Sequence, residues 1–166
     1  MSDLGSLDGP VLVFGGPYSN LQATEAVLEE ARNRGIPPGN IICTGDVVAY
    51  CGEPQATVEA IRNAGIHVVM GNCEESLGED KDDCGCGFEE GSACDLLSQQ
   101  WFAYSHKALD DDAKQWMAGL PRSLTFEINN RRMAAIHGGA REIGRFIFRS
   151  TKRGDKIREK SLYLGF

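Results

Sequence analysis

Apolar positions in this chain come in short blocks whose period alternates between strand-like and helix-like, with turn residues between them. Val11-Leu12-Val13-Phe14 follows Pro10 and stops at Gly15-Gly16-Pro17, which predicts a short buried strand. From Asn20 the period lengthens. Leu21, Ala23, Ala26, Val27, Leu28 and Ala31 share one helical face, with Glu25, Glu29 and Glu30 outside it and Gly35 as terminator. Pro37-Pro38-Gly39-Asn40 turns the chain into Ile41-Ile42-Cys43, a second strand that ends in Thr44-Gly45-Asp46. Glu53-Pro54 opens a second helix, with Ala56, Val58, Ala60 and Ile61 inward and Asn63-Ala64-Gly65 at its end. Ile66 to Met70 is a third strand. Strand, helix, strand, helix, strand at this spacing predicts a parallel sheet with right-handed crossovers.

Residues 71–91 lose all periodicity. They are acidic and rich in Gly and Cys, and predict a loop of about 20 residues, a length that points to function when it directly follows a strand end. Within it, Glu74 and Glu75 read as a solvated helix start. Helices are expected again from Ser92 through Ala108 and from Asp110, a candidate N-cap, to Leu120. Trp101 and Trp116 sit at helical spacing and read as core. Leu124 to Ile128 alternates as a strand, Asn129-Asn130 is a hairpin turn, and Arg131 to Ile136 returns beside it, ending at His137.

Composition narrows the class. The 166 residues are 42% hydrophobic and 25% charged, as in an ordinary globular protein, and predict a single domain over residues 1–166. The net charge of -7 disfavours binding to duplex nucleic acid, which draws its affinity from released counterions. No apolar run approaches the ~20 residues of a membrane span, so no membrane partner is expected. Met1-Ser2-Asp3-Leu4-Gly5 lacks a basic and apolar leader pattern, so the expected location is cytoplasmic. There the six cysteines are expected to be thiols or metal ligands, not a disulfide framework. Charge is unevenly spread. Residues 1–140 carry 9 Lys+Arg against 21 Asp+Glu, a net -12, whereas residues 141–166 carry 8 against 3, a net +5.

The chemistry concentrates at strand ends. Asp46 follows Gly45, Asn72 follows Gly71, and His137 precedes Gly138-Gly139, so three oxygen or nitrogen donors are carried to one edge of the sheets, where open α/β folds bind ligands. Gly45-Asp46, Gly71-Asn72 and His137-Gly138, in this order from about Val11 to about Phe148, resemble the calcineurin-like metallophosphoesterases. The likeness is strongest to the small bacterial diadenosine-tetraphosphatase-like and phosphodiesterase-like branch. It implies a sandwich of mixed β-sheets flanked by helices, a hydrolase acting on a small-molecule phosphoester, and a two-metal site at strand ends. By the resemblance, Asp46 is the bridging ligand, Asn72 and His137 are ligands, and Cys73 holds the acid or stabiliser position, where it is also a candidate ligand.

The departures are specific. The family pattern Asp-x-His-Gly-Asn after the first strand is Gly16-Pro17-Tyr18-Ser19-Asn20 here, so both of its ligands are replaced, by Gly16 and Tyr18. The family histidine after Asn72 is Cys73. The last motif, Gly-His-x-His, is absent. A site reduced to one cation keeps a Lewis acid and loses the symmetric clamp, so weak or absent hydrolysis is expected. Cys43 and Cys51 on either side of Asp46, Cys73, and Cys84, Cys86 and Cys94 offer an alternative: a non-catalytic protein that uses the cysteines and the acidic loop to hold zinc or iron on the same scaffold, since thiolates move metal preference away from Mn and towards Zn or Fe. The metal itself is left open among Mn, Fe and Zn. Residues 149–166 form an atypical basic tail, which reads either as the end of a truncated or frame-shifted chain or as a basic helix docked on the acidic body. Truncation would leave sheet edges open and favour a homo-oligomer.

Overall fold

The computed structural model describes residues 1–164. Two three-stranded sheets pack face to face, with helices on the outside of one of them. In the first sheet β2 (Leu12–Phe14), β3 (Ile41–Cys43) and β4 (His67–Val68) run parallel in that order, with Leu12 opposite Ile41 and Cys43 opposite Val68. The second sheet has the order β1-β5-β6, from β1 (Ser2–Ser6), β5 (Ser123–Ile128) and β6 (Arg131–Ile136). β5 and β6 form an antiparallel hairpin from Ser123–Ile136 to Ile128–Arg131. Asn129 and Asn130 turn it with φ of 51° and 59°, a left-handed pair that asparagine tolerates. β1 was not foreseen. Its Ser2-Asp3-Leu4-Gly5-Ser6 carries no strand signal and is drawn into the sheet by parallel pairing with β5.

β3 is the centre of the molecule because both of its faces are buried, as a continuous apolar run demands. Successive side chains point to opposite faces. Ile42 therefore meets Val69, Leu124, Phe126 and Ala135 between the sheets, whereas Cys43 meets the helical layer of Val58, Ile61, Leu77, Phe102 and Met117. Each such fully buried aliphatic side chain contributes about 1.5–3 kcal/mol.

The helices begin where the caps predict. Asn20 accepts the Ala23 N–H to start α1 (Leu21–Asn33), and Ser92 accepts the Asp95 N–H to start α4 (Ala93–Ala108). Asp110 does the same for Ala113 in α5 (Asp111–Ala118). Such caps stabilise a helix by ~1 kcal/mol each. α2 (Pro54–Ala64) has proline in its first turn and ends on left-handed Gly65. Its expected inward face holds, with Val58 and Ile61 fully buried. The face expected for α1 is only partly right: Thr24 and Ala31 are buried, while Ala23 and Ala26 are exposed. In α4, Phe102 is buried between Ser98 and Ser105, and Leu96, Leu97 and Tyr104 face outward.

Two expectations are corrected. The stretch after Gly71 is not loop throughout, because α3 (Asn72–Gly78) starts at once. Nor is Glu74 solvated. It is fully buried, because the turn after β3 presents main-chain N–H groups that need an acceptor. Glu75 is largely covered and pairs with Lys81 and Arg122. At the other end, the basic tail forms α6 (Arg153–Leu164), whose Glu159 accepts the Ala140 N–H and pairs with Arg145. Among the described residues no helix is long and apolar enough to cross a membrane.

Candidate metal centre

The ends of β3, β4 and β6 converge because two glycines let them. Gly45 has a φ of +99°, and a Cβ there would lie 2.7 Å from the Gly71 nitrogen and 2.9 Å from His137 Nδ1. A Cβ at Gly71 would lie 2.6 Å from Asp46 Oδ1. Any other residue at either position forces the strand ends apart. Asp46 follows in the left-handed region at φ 54°, which turns its carboxylate inward.

Glu74 holds this turn together. Its carboxylate accepts the N–H groups of Asp46 and Val47 at 2.8 Å, Gly71 at 2.9 Å and Val48 at 3.4 Å. Burial pushes the Glu74 carboxyl up to about 7, the Asp46 charge pushes the same way, and the N–H donors offset part of it. With every lone pair committed to the main chain, Glu74 frames the site and is no ligand. The one hint in the sequence was its place three residues after Gly71, where a glutamate reaches back to the helix start.

Three atoms face one another above this frame. His137 Nδ1 donates to the Thr44 carbonyl at 2.7 Å, since a carbonyl can only accept. Its Nε2 faces the site, 3.0 Å from Asn72 Oδ1 and 3.5 Å from Asp46 Oδ1. Asn72 presents its oxygen because its Nδ2 is engaged by the Cys84 carbonyl at 2.8 Å. Asp46 Oδ1 is buried and has no hydrogen-bond partner. Burial raises the Asp46 carboxyl, while His137 and the Cys73 thiol and N–H pull it back. Two oxygens converge on one ring nitrogen, and one of them is buried without a hydrogen bond, so the point between them calls for positive charge. The donor set therefore fits one divalent cation. It does not fit two: Gly16 and Tyr18 stand at the other position, and burial followed by the Asp46 charge keeps the Tyr18 phenol protonated. Among the described residues no three His, Cys, Asp or Glu side chains are grouped to hold a metal ion, and here the third donor is an amide oxygen.

Asp46, Asn72 and His137 are thus together. Cys73 lies behind them, fully buried, with its thiol hydrogen-bonded to Asp46 and raised well above the ordinary value by burial first and the Asp46 charge second. The expectation of thiols or ligands is corrected for two of the remaining cysteines. Cys84 and Cys86 form a disulfide, which left-handed Gly85 permits by bringing both side chains to one side. Cys43 is a core thiol pushed up to about 12, mainly by burial, and Cys51 and Cys94 are exposed. In front of the three donors opens a cavity of about 260 Å³, walled by Tyr18, Tyr50, Arg145, Phe146 and Phe148. None of the last four was singled out in the sequence, because each reaches the cavity from a segment without periodic pattern.

Residues 11–162 match the calcineurin-like phosphoesterase superfamily domain. Among curated proteins the chain is similar to an uncharacterized protein of Methanocaldococcus jannaschii, 28% identical over 141 residues that span 83% of this chain and 54% of that protein. Among solved structures it is similar to a hypothetical protein from Pyrococcus horikoshii, with a TM-score of 0.69 at 18% identity over 90% of this chain and 63% of that one. It is also similar to a metallophosphoesterase from Sphaerobacter thermophilus, with a TM-score of 0.56 at 23% identity over 83% of this chain and 51% of that one. The chain thus spans between half and two thirds of the length of these relatives. With the family model matching most of its length, the chain belongs to the calcineurin-like phosphoesterase superfamily.

Proposed function

We propose that this chain holds one divalent cation at Asp46, Asn72 and His137 and acts as a slow hydrolase of a small phosphoester. The observation that carries the reading is the convergence of His137 Nε2, Asn72 Oδ1 and the unpartnered, buried Asp46 Oδ1. The family generally uses divalent metals, and a cation held here supplies Lewis-acid polarisation of a phosphoryl oxygen. The rest of the reading concerns this chain's own residues. Thr44 fixes the tautomer of His137, Cys84 fixes the face of Asn72, and the Cys73 thiol steadies Asp46. Arg145, on the cavity wall, is the cation available to a phosphate oxygen. Tyr18, Tyr50, Phe146 and Phe148 give the ester's organic part an apolar seat. Gly16 and Tyr18 leave no carboxylate or imidazole for a second cation, which is why the reaction is proposed to be slow. A reading as a cysteine-based zinc or iron carrier loses ground, since two of the six cysteines are tied to each other.

The test is Mn content of the reconstituted protein together with turnover of bis(p-nitrophenyl) phosphate. About one Mn per chain and slow turnover, both lost in Asp46→Asn, support the proposal. Metal retained by that variant, or turnover unchanged by it, refutes it.

A further inference from the structure

The Cys84–Cys86 disulfide touches the candidate centre at one atom that decides how Asn72 is presented. A carboxamide turned over by 180° exchanges oxygen and nitrogen with almost no change of shape. Which face Asn72 shows is therefore set by the partners of its Nδ2 and Oδ1. The observed face aims Oδ1 at His137, with Nδ2 2.8 Å from the Cys84 carbonyl and 3.6 Å from Cys86 Sγ. The only strong acceptor holding Nδ2 there is a carbonyl inside the small covalent ring that the disulfide closes. That ring lies close to its neighbours without, among the described residues, a hydrogen bond from them to the Cys84 carbonyl other than that of Asn72: a Cβ at Gly85 would lie 3.2 Å from Ser76 Oγ of α3, and a Cβ at Gly144 would lie 2.8 Å from the Gly85 carbonyl. Cys84 is buried and Cys86 lines the cavity.

Building on the proposed function, we infer that the Cys84–Cys86 disulfide is a positioning element that holds Asn72 Oδ1 towards the cation position, and that reducing it releases Asn72 and weakens the site. A dithiol supplies two electrons and two protons: the S–S bond breaks, two S–H bonds form, and the dithiol closes to its own disulfide. The opened segment no longer fixes the Cys84 carbonyl opposite Nδ2, and the amide is free to turn over.

Two readouts on the full chain, metal-free at the start, test this. The first is Mn²⁺ affinity by calorimetry for the disulfide form, for protein reduced with dithiothreitol and then freed of it under argon, and for Cys86→Ser. The second is exchange of the Asn72 side-chain amide protons by NMR in the same three samples. Affinity about 10-fold weaker in the reduced and variant forms is expected, the low end of the range for loss of an outer-shell partner. Asn72 amide exchange at least about 10-fold faster should accompany it, and Cys86→Ser should ignore the reductant. Equal Mn²⁺ affinity in all three, with Asn72→Ala binding more weakly, overturns the inference and leaves the proposed function standing. If no form binds Mn²⁺, the proposed function fails. The inference is then decided by exchange alone, and equal Asn72 exchange rates overturn it.

Discussion

The two walls of the cavity are built on opposite principles. The polar wall, Asp46, Asn72 and His137, stands at the ends of β3, β4 and β6, largely covered and braced from behind by the buried Glu74. The aromatic wall, Tyr18, Tyr50, Phe146 and Phe148, stands on turns and is 38% to 65% exposed. Burial obliges the first wall to satisfy each N–H and C=O it covers, so its residues are interdependent. The second wall is held by exposed ring contacts, Tyr18 against Tyr50 and Phe146 against Phe148. Precision belongs to the polar wall and latitude to the aromatic one.

The largest effect expected from this contrast is on metal. Asp46→Asn removes the charge while keeping the shape, and Mn²⁺ affinity by calorimetry should fall by more than about 100-fold, beyond the outer-shell range. A fall of a few-fold would make Asp46 part of the frame. Next comes the frame itself. Glu74→Ala strands up to four main-chain N–H groups, each costing about 1–3 kcal/mol when buried without an acceptor. Urea unfolding should show a loss above about 4 kcal/mol, and a loss under 1 kcal/mol would erase the distinction between the walls.

A pH series sharpens the same point in metal-free protein. The Glu74 carboxyl titrates at about 7 in the folded chain against an ordinary 4.5, so its folded value is raised. Its contribution to stability is therefore complete below about pH 4.5, is lost as pH rises through about 7, and is constant above that. The difference between wild type and Glu74→Gln, followed by thermal melts, should carry this slope; a flat difference contradicts it. Smaller still is a test of reach. A thiol reagent at pH 8 should label exposed Cys51 and Cys94 and spare Cys43 and Cys73 until the protein unfolds. Smallest, Phe146→Ala and Phe148→Ala should each change stability by no more than about 0.5 kcal/mol, as surface substitutions do, while weakening the seat for an ester.

The sequence carried the parallel sheet well, because strong local signals repeat there: apolar runs at Ile41 and Ile66, Pro54 at a helix start, and Gly35 and Gly65 at helix ends. Asp46, Asn72 and His137 were legible for a related reason, since each adjoins a glycine at the end of such a run. What was missed depends on contacts distant in sequence. Glu74 looked solvated because its charge said so, and three of the four N–H groups that explain its burial belong to residues 46–48, some 26 to 28 positions away. β1 was invisible because its partner lies more than a hundred residues on. The disulfide was discounted on grounds of compartment, an argument about averages that a left-handed Gly85 overrules locally.

The pairing of β1 with β5 also has a consequence in time. Ser2 lies opposite Leu124 and Asp3 opposite Thr125. A ribosome adding ~5–20 residues per second needs roughly 10 s to make the intervening chain. For most of that interval the hydrogen-bonding edge of β1 has no partner, whereas β2, β3 and β4 are all made by residue 68 and find one another sooner. Nature has made that waiting segment Ser-Asp-Leu-Gly-Ser, polar and broken by glycine, a poor template for a stray neighbour. The weakness that hid β1 from a reading of the sequence is the same property that lets it wait safely for its partner.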